Sequence, residues 1–562
     1  MLLSIARRFL GRRIVADVEK AIEATKDPQG YQQRLLLSMI ERESQTGFGR
    51  DHGFASIRSV EDFRRQVPIA GYDYYAPYIE RVKNGETDAM FHDQKVLMFA
   101  LTSGTTSSRK FIPVTERFLD DYRRGWALWG FGVFYPYPEL FARKKIVMVS
   151  DWQEFNADSG IPCGSISGLS AQIQTPVFRW TYLLPAETSM VHDVEAKFYL
   201  AWRLGLVRDV GMLISPNPST HVGFARFGDR HKESLIRDLY EGGISETFGI
   251  PEAVLQARRR WLRPNPKRAR QVEQAIAKSD RLRPNEVWPN LKMIGCWLGG
   301  SAGIYLRHFP EYFGDVITRD IGLIASECRM TIPVEDNTAA GVLEISSNYY
   351  EFVPVEEIDS PQPNVLGAHE IEEGCDYYIL LTTSSGLYRY HIHDVVRCVG
   401  HYEQTPLISF LNKGSRFSNM TGEKLSEHQV AEAVEGALSR LDLRLSTYTL
   451  TPCCDGEVPS YSLLIEESDL PDQTSRQALA REVERGLNLG NIEYQTKRES
   501  LRLEPVRIEL LPSGAWERWD AQQLKQNGGT AEQYKHPVLV PDTGFRATLP
   551  LRKDTEGSLQ SR

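Results

Sequence analysis

The sequence predicts an α/β protein with a large N-terminal domain and a smaller C-terminal one. The chain has 562 residues, more than one hydrophobic core usually organises, so two or more domains are expected. Short apolar runs alternate with helical patterns through the middle of the chain, which favours β-sheets flanked by helices. After about residue 415 the pattern becomes a compact α-β-β-α-β set. We therefore predict domains at residues 1–415 and 416–562.

The elements of the large domain are read from hydrophobic spacing. Apolar positions at helical spacing predict helix over residues 14–45. Further helical patterns lie at Asp193–Leu204, His231–Tyr240 and Arg270–Ile276. The strand candidates are 96–100, Lys145–Ser150, Lys292–Trp297, Gly341–Ile345 and Tyr377–Thr382.

The small domain opens on a helix-start signature. Ser426 is followed three residues later by Gln429, the pattern of a capping box, and apolar residues then recur at helical spacing. Strands are predicted at Thr447–Pro452, Tyr461–Ile465 and Val506–Leu511, and a second helix around Leu479, Val483 and Leu487. This set is an α+β domain of ordinary size.

Composition excludes several classes of protein. The net charge of −8 argues against non-specific nucleic-acid binding, which needs a basic surface. No apolar run is long enough for a membrane span. The seven cysteines are an odd number without a C-x-x-C pair, which favours free thiols in a reducing compartment. Charged residues occupy the place of an apolar export-signal region near the start, so we predict an amphipathic first helix and a cytoplasmic protein. The oligomeric state stays open.

A hydroxyl-rich loop follows the first predicted strand. Its sequence over residues 101–110 is Leu-Thr-Ser-Gly-Thr-Thr-Ser-Ser-Arg-Lys. Backbone N–H groups and small hydroxyls can bind an anion, and Gly104 allows close approach to it. Arg109 and Lys110 add positive charge, so a nucleotide phosphate is the indicated ligand. The loop lacks the second glycine of a Walker A motif, and by itself an ordinary polar turn is an equally good interpretation.

Two later segments also carry polar residues behind apolar runs. Ser326 and Glu327 follow the run 321–325, and a carboxylate near phosphates suits Mg²⁺. Asp394 comes after the predicted strand Tyr377–Thr382 and could accept both hydroxyls of a ribose. For Glu327 a plain surface carboxylate is an equally good interpretation.

Two more observations leave alternatives open. His391 and His393 beside Asp394 would fit a metal site, but we favour the polar side of a strand, because zinc sites usually have three or four ligands. Lys535 lies in a turn-rich stretch near the C-terminus. Taken alone it is a solvated lysine.

The order of these motifs resembles that of the adenylate-forming superfamily. The motifs are the hydroxyl-rich loop, the Ser326-Glu327 pair, the Tyr-Arg-x-x-x-x-Asp element ending at Asp394, and Lys535. The closer resemblance is to the acyl-acid amido synthetase family known as Gretchen Hagen three, the auxin-responsive proteins of plants and their bacterial relatives. The resemblance runs from about residue 30 to about residue 540. The stretches that carry it are 47–54 (Gly-Phe-Gly-Arg-Asp-His-Gly-Phe), Tyr75–Glu86, Trp288–Asn290, Tyr349–Pro354 and Asn491–Tyr494.

The resemblance implies a fold and an activity. The fold would be a large adenylate-forming domain followed by a small mobile domain. The activity would be the adenylation of a small carboxylic acid with ATP and Mg²⁺, followed by transfer of the acyl group to an amino acid or another amine. Two alternatives stay open, namely a ligase that forms acyl-CoA or another thioester, and a non-catalytic member that binds a nucleotide or acyl ligand.

The resemblance also implies roles for individual residues. Lys535 would enter with the small domain and stabilise charge on the adenylyl group, Glu327 would bind Mg²⁺ near the α-phosphate, and Asp394 would bind the ribose. The catalytic residues implied are therefore Lys535 and Glu327, with Glu327 also the metal ligand. The residues implied to hold ATP are Ser103, Gly104, Thr105, Thr106, Lys110, Ser326, Asp394 and Arg416.

Two positions depart from the family pattern, and the residues that line the acid pocket are harder to identify from the sequence. Leu323 stands where the family usually has an aromatic residue, and His393 stands where a glycine usually precedes the aspartate. The family's acid pocket is lined by helices, implied here at 111–134 and 164–182. The aromatic residues of these segments, such as Trp126, suit an apolar acid, but we interpret them as core.

Overall fold

The computed structural model describes residues 12–102, 110–149, 151–172, 176–300, 303–358, 360–414, 417–418, 420–421, 423, 425–455, 458–499, 502–527 and 534–551. The chain divides into two compact units, one running to Phe410 and one beginning at Leu411. The predicted α/β class, with sheets flanked by helices and a smaller C-terminal part, is confirmed.

The first unit contains most of the described elements. Its helices are α1 (Arg12–Ala24), α2 (Pro28–Arg42), α3 (Gly47–Asp51), α4 (Val60–Gln66), α5 (Tyr72–Lys83), α6 (Glu116–Phe134), α7 (Glu139–Ala142), α8 (Ile166–Gln172), α9 (Pro176–Thr181), α10 (Val194–Gly205), α11 (Pro218–Arg230), α12 (Lys232–Glu241), α13 (Glu252–Arg258), α14 (Pro266–Ser279), α15 (Pro284–Val287), α16 (Gly303–Leu306) and α17 (Phe309–Phe313). Its strands are β1 (Val96–Thr102), β2 (Lys110–Thr115), β3 (Lys144–Val147), β4 (Phe155–Asn156), β5 (Pro162–Gly164), β6 (Val210–Ile214), β7 (Met293–Cys296), β8 (Ile317–Asp320), β9 (Thr331–Ile332), β10 (Gly341–Leu343), β11 (Tyr349–Pro354), β12 (Leu366–Gly367), β13 (Asp376–Thr382), β14 (Tyr390–Tyr402) and β15 (Thr405–Lys413), the last of which continues into the second unit.

The predicted helix over residues 14–45 is two helices. Proline fixes its own φ and lacks an N–H, so it suits the first position of a helix rather than its interior. Pro28 accordingly begins α2, and the Asp27 carboxylate caps it by accepting from the Gly30 N–H at 2.9 Å. The chain therefore turns between α1 and α2 instead of continuing as one helix.

A parallel sheet of four strands forms one layer of the first unit, in the order β3-β6-β7-β8. Successive side chains of a strand point to opposite faces. Along β6, Leu213 packs into the cluster around Trp202, whereas Met212 packs into the cluster around Trp129. Both faces of this sheet are thus covered, as parallel sheets require.

Two further sheets share the other large core of this unit. A seven-stranded sheet has the order β12-β11-β13-β14-β15-β10-β9, and a four-stranded one has the order β2-β1-β5-β4. Helix α6 joins this core to the parallel sheet. Its first turns bury Phe118 and Tyr122 in the shared core, while Trp129 and Val133 pack against the parallel strands.

The second unit is built on a small sheet and helices. Its elements are β16 (Phe417–Ser418), β17 (Leu425–Ser426), α18 (Glu427–Leu441), β18 (Tyr448–Cys453), β19 (Ser460–Glu466), α19 (Gln473–Gly490), α20 (Ile492–Glu499), β20 (Arg507–Leu511) and α21 (Ala515–Asn527). The three longer strands lie in the order β18-β19-β20, with β19 and β20 parallel. The predicted capping box is confirmed, because Ser426 and Gln429 exchange hydrogen bonds with each other's backbone N–H.

The structure bears on the predictions about the cysteines and about membrane-spanning helices. All seven cysteines are free, as predicted. In the part of the chain that the structure describes, no helix combines the length and apolarity needed to cross a membrane.

Candidate functional site

The hydroxyl-rich loop connects two paired strands. Strands β1 and β2 are antiparallel, with Thr102 opposite Lys110. The predicted helical segment 111–134 is therefore wrong in its first residues, because the backbone of Lys110–Thr115 pairs with β1 and α6 begins only at Glu116. The loop residues implied to hold phosphate lie outside the described residues, namely Ser103, Gly104, Thr105 and Thr106.

Glu327 lies at the tip of a tight turn behind β8. The turn is closed by the Ala325 N–H, which donates to the Cys328 carbonyl at 2.9 Å. Ser326 is half-buried at this tip, while the Glu327 side chain is buried. A buried carboxylate loses most of its hydration, so a nearby cation or hydrogen-bond donors must compensate for that loss.

One tyrosine hydroxyl joins two of the predicted site residues. Tyr390, fully buried at the start of β14, donates to Glu327 Oε1 at 3.4 Å and accepts from Lys110 Nζ at 3.5 Å. Burial, together with the charge of Glu327, raises the pKa of Tyr390 well above its usual value. The hydroxyl therefore stays protonated and can donate to the carboxylate. Lys110 Nζ also lies 5.6 Å from the centroid of the Tyr72 ring.

Asp394 is presented by an irregularity in β14. Tyr378 pairs with Val395 and Leu380 pairs with His391, so four steps along β14 oppose two steps along β13. Bulges of this kind redirect side chains and are common beside active sites. His393 takes up the bend with a φ of 66°. The next residue, Asp394, is 3% exposed.

The two histidines of this bulge do not complete a metal site. The rings of His391 and His393 pack on each other with centroids 4.0 Å apart. Among the described residues, no group of three or more His, Cys, Asp and Glu side chains could hold a metal ion. Both histidines lie in β14, as the interpretation of the pair as part of a strand predicts.

Glu327 and Asp394 come together around a buried thiol. Burial raises the pKa of Cys328 well above its usual value, and the charges of Glu327, Glu344 and Asp394 add to the effect. The structure thus gathers Lys110, Glu327 and Asp394 into one region of the first unit, although they are far apart in the sequence. The sequence did not indicate that Tyr390 connects Lys110 with Glu327.

Asp320 is a further residue that the sequence analysis missed. It ends β8 with its side chain buried, and its carboxylate accepts from the Gly322 N–H at 2.6 Å and from the Leu298 N–H at 2.7 Å. It thereby fixes the segments that leave β7 and β8. In open α/β sheets, ligands bind at the carboxyl ends of such strands. The signal available in the sequence was an aspartate directly before the apolar run 321–325.

Lys535 lies in the second unit, on a firmly held segment. The side chains before and after it, Tyr534 and His536, both hydrogen-bond to Asp520 Oδ1 at 2.7 Å. His536 also contacts Thr449 Oγ1 at 2.8 Å, which ties the segment to β18. Lys535 itself is half-buried. Arg416, predicted near the nucleotide, lies outside the described residues.

The fold of the chain is also found in a solved ligase structure. A solved structure of a 2-hydroxyisobutyryl-CoA ligase in complex with 2-HIB-AMP is similar to the chain at a TM-score of 0.52 and 11% identity, over 94% of this chain and 92% of that one. Such a likeness shows the fold.

By sequence, the chain belongs to the GH3 family, the Gretchen Hagen three proteins. Residues 18–318 match the GH3 family N-terminal domain, 341–413 the central domain and 428–544 the C-terminal domain. A solved GH3.15 acyl acid amido synthetase is similar at a TM-score of 0.83 and 21% identity, over 95% of this chain and 96% of that one. Indole-3-acetic acid-amido synthetase GH3.3 of Arabidopsis thaliana is 21% identical, over 94% of this chain and 92% of that protein.

Proposed function

We propose that the chain is an ATP-dependent acyl-acid amido synthetase, which adenylates a small carboxylic acid and transfers the acyl group to an amino acid or another amine. The observation that carries the proposal is the contact of one buried hydroxyl, that of Tyr390, with both Lys110 and Glu327. Membership of the GH3 family supports it, as does the naming of GH3 relatives as amido synthetases.

In the proposed first step, a carboxylate oxygen of the acid attacks the α-phosphorus of ATP. The new O–P bond forms an acyl adenylate, and the bond to pyrophosphate breaks. Catalysis of such a displacement is mostly positioning and neutralisation of charge. Lys110 supplies one positive charge, and the hydroxyl of Tyr390 holds Glu327 in place beside it.

Glu327 is the residue we propose as the ligand of Mg²⁺. This ion is usually bound by one or two carboxylates together with phosphate oxygens, so a single buried carboxylate near a lysine suits it. When bound, the ion would neutralise phosphate charge. Asp394 would hold the ribose and Ser326 would lie by the α-phosphate. The remaining proposed ATP contacts are Ser103, Gly104, Thr105, Thr106 and Arg416.

In the proposed second step, the amine nitrogen attacks the acyl carbon. A C–N bond forms, the C–O bond to AMP breaks, and the nitrogen loses a proton. We propose that residues 416–562 act as a mobile domain that brings Lys535 to the adenylyl group during the first step only. A cytoplasmic location is also proposed, and the free cysteines support it.

The test is pyrophosphate release by the purified full-length protein. ATP, Mg²⁺ and a panel of aromatic and aliphatic acids are supplied, with and without a mixture of amino acids, and a parallel series contains coenzyme A. We expect release that depends on the acid, is lost when EDTA removes Mg²⁺, and is accompanied by an amide when amino acids are present. E327Q should lower the rate about 10²-fold, whereas E335Q, at an exposed neighbour, should not.

Three results would contradict parts of the proposal. Release that only coenzyme A accelerates, with a thioester as product, would make the protein a thioester-forming ligase. No release with any acid would favour a non-catalytic binding protein. A full rate in E327Q would remove Glu327 from the proposed mechanism and leave the overall reaction standing.

A further inference from the structure

His536 is a buried histidine with contacts at both of its ring nitrogens. It follows Lys535 directly in the chain and is 2% exposed. Its Nδ1 lies 2.7 Å from Asp520 Oδ1, and its Nε2 lies 2.8 Å from Thr449 Oγ1. An ionised carboxylate only accepts hydrogen bonds, so Nδ1 carries the proton of the contact with Asp520. The ring is thus held in one orientation between α21 and β18.

Two tryptophan rings of α21 pack on the histidine. The ring centroids of Trp516 and Trp519 lie 4.6 Å and 5.6 Å from that of His536, and both indoles meet the imidazole edge to face. The His536 side chain is fully buried, whereas the Asp520 side chain is 25% exposed. The contact between the two is therefore shielded from water on the histidine side, and exclusion of water strengthens a hydrogen bond to a carboxylate.

The same carboxylate oxygen also holds the residue before the lysine. The Tyr534 hydroxyl donates to Asp520 Oδ1 at 2.7 Å. Tyr534 and His536, the two neighbours of Lys535, therefore lie on one side of the backbone, as alternate side chains do in an extended segment. In such a segment the Lys535 side chain leaves the backbone on the opposite side. Asp520 thus determines the direction in which Lys535 points.

Backbone hydrogen bonds fix the chain that follows the lysine. The Thr449 hydroxyl donates to the Pro537 carbonyl at 2.8 Å. The Val538 N–H donates to Glu427 Oε1 at 2.9 Å, and the Val538 carbonyl accepts from a backbone N–H of β18 at 2.7 Å. The segment is therefore tied to β18 and to the first turn of α18. These bonds fix its path after Lys535, while the contacts with Asp520 fix its rotation at the lysine itself.

We propose that His536 and Asp520 are positioning residues that act through Lys535. They would hold its ammonium group in the orientation that neutralises charge on the adenylyl group during adenylation. This inference rests on the proposed function and adds the device that orients the lysine. Misplacement of a reacting group by about 1 Å can lower a rate about 10²-fold. A chain without this anchor would therefore keep Lys535 and lose most of its contribution to the rate.

The test compares single and double variants of the full-length protein. D520A removes the shared acceptor and H536Q removes the imidazole, each alone and combined with K535A. Pyrophosphate release measures adenylation of the acid that the wild-type protein uses fastest, and amide formation from a chemically prepared acyl adenylate is measured separately.

T451V and E517A are the matched controls. Thr451 is buried on the same face of β18 as Thr449, but its hydroxyl donates to the Asp542 carbonyl at 3.4 Å. Glu517 is exposed on α21, the helix that carries Asp520. Both substitutions therefore change the same elements without touching the anchor of Lys535.

We expect D520A and H536Q each to lower the adenylation rate about 10- to 100-fold and to leave amide formation unchanged. T451V and E517A should change neither rate. In the K535A background, D520A and H536Q should cause no further loss, because a residue that acts through Lys535 has no effect once that lysine is removed. A merely structural role would lower the rate in both backgrounds.

Amide hydrogen exchange across residues 535–540 follows the anchor without any measurement of activity. D520A should make this exchange about tenfold faster, and E517A should leave it unchanged. D520A also covers the case in which H536Q fails to fold, because Asp520 is only half-buried.

A wild-type adenylation rate in folded D520A and H536Q would overturn the inference. An equal further loss in the K535A background would also overturn it, as would unchanged hydrogen exchange in D520A. The proposed function would survive each of these results if the wild-type protein releases pyrophosphate. Conversely, no release by the wild-type protein with any acid would contradict the proposed function, and hydrogen exchange would still decide whether Asp520 anchors the segment of Lys535.

Discussion

His393 has a backbone conformation that suits glycine better than histidine. Its φ of 66° lies in the left-handed region, where a side chain costs roughly 1 kcal/mol or more. The conformation belongs to the bulge that carries Asp394, so the strain is stored beside a proposed ribose contact. The family usually has a glycine at this position, and a glycine here would relieve the backbone strain.

H393G should raise the free energy of unfolding by about 1 kcal/mol, because glycine adopts a positive φ without a steric penalty. Urea unfolding followed by circular dichroism measures the change. H401G is the matched control, since His401 is exposed on the same strand and is not among the residues with positive φ. There glycine should destabilise by about 0.5–1 kcal/mol. Equal destabilisation by both substitutions would show that the bend at His393 stores no strain.

The residues of the site differ in how far the sequence could indicate them. Glu327 and Asp394 follow apolar runs and carry the family resemblance, so both were predicted, although their roles remain proposals. Tyr390 was not singled out, because its meaning depends on contact with Lys110, 280 residues earlier in the chain.

Among the elements, spacing located most strands and helices but not the irregular ones. Hydrophobic periodicity reports which face is buried, and it continues through a break such as the one at Pro28. It also cannot tell a short strand such as β2 from the first turn of a helix, because the pairing with β1 is a long-range choice. The bulge in β14 was missed for the same reason, since a register shift is defined only against the neighbouring strand.

The start of α18 was predicted because capping is local chemistry, and it can be tested by substitution. S426A removes the side chain that accepts from the Gln429 N–H at 3.2 Å, which should cost about 1 kcal/mol of helix stability. Amide hydrogen exchange across Glu427–Leu441, followed by mass spectrometry, should become about fivefold faster. S439A, at an exposed interior position of the helix, should leave exchange unchanged or slightly slower. Equal exchange in both variants would contradict a stabilising cap.

At the scale of the whole molecule, the proposed catalytic groups belong to different compact units. Lys110, Glu327 and Asp394 are in the first unit, and Lys535 is in the second. The segment of Lys535 is held at Asp520 by its two neighbours, so its unit would carry it as a fixed group. If Lys535 acts in only one of the two half-reactions, its substitution should slow that half-reaction and leave the other unchanged.

K535A should lower the adenylation rate about 10²-fold, because it removes the positive charge that is proposed to stabilise the negative charge of the transferring adenylyl group. The same variant should convert a chemically prepared acyl adenylate and an amino acid to the amide at close to the wild-type rate, since the bond to pyrophosphate is already broken in that substrate. Pyrophosphate release measures the first rate, and amide formation measured by mass spectrometry gives the second.

K525A, at an exposed lysine of α21 in the same unit, is the matched control and should change neither rate. Equal losses in both half-reactions would mean that Lys535 supports the unit as a whole, and a full adenylation rate in K535A would exclude it from the chemistry.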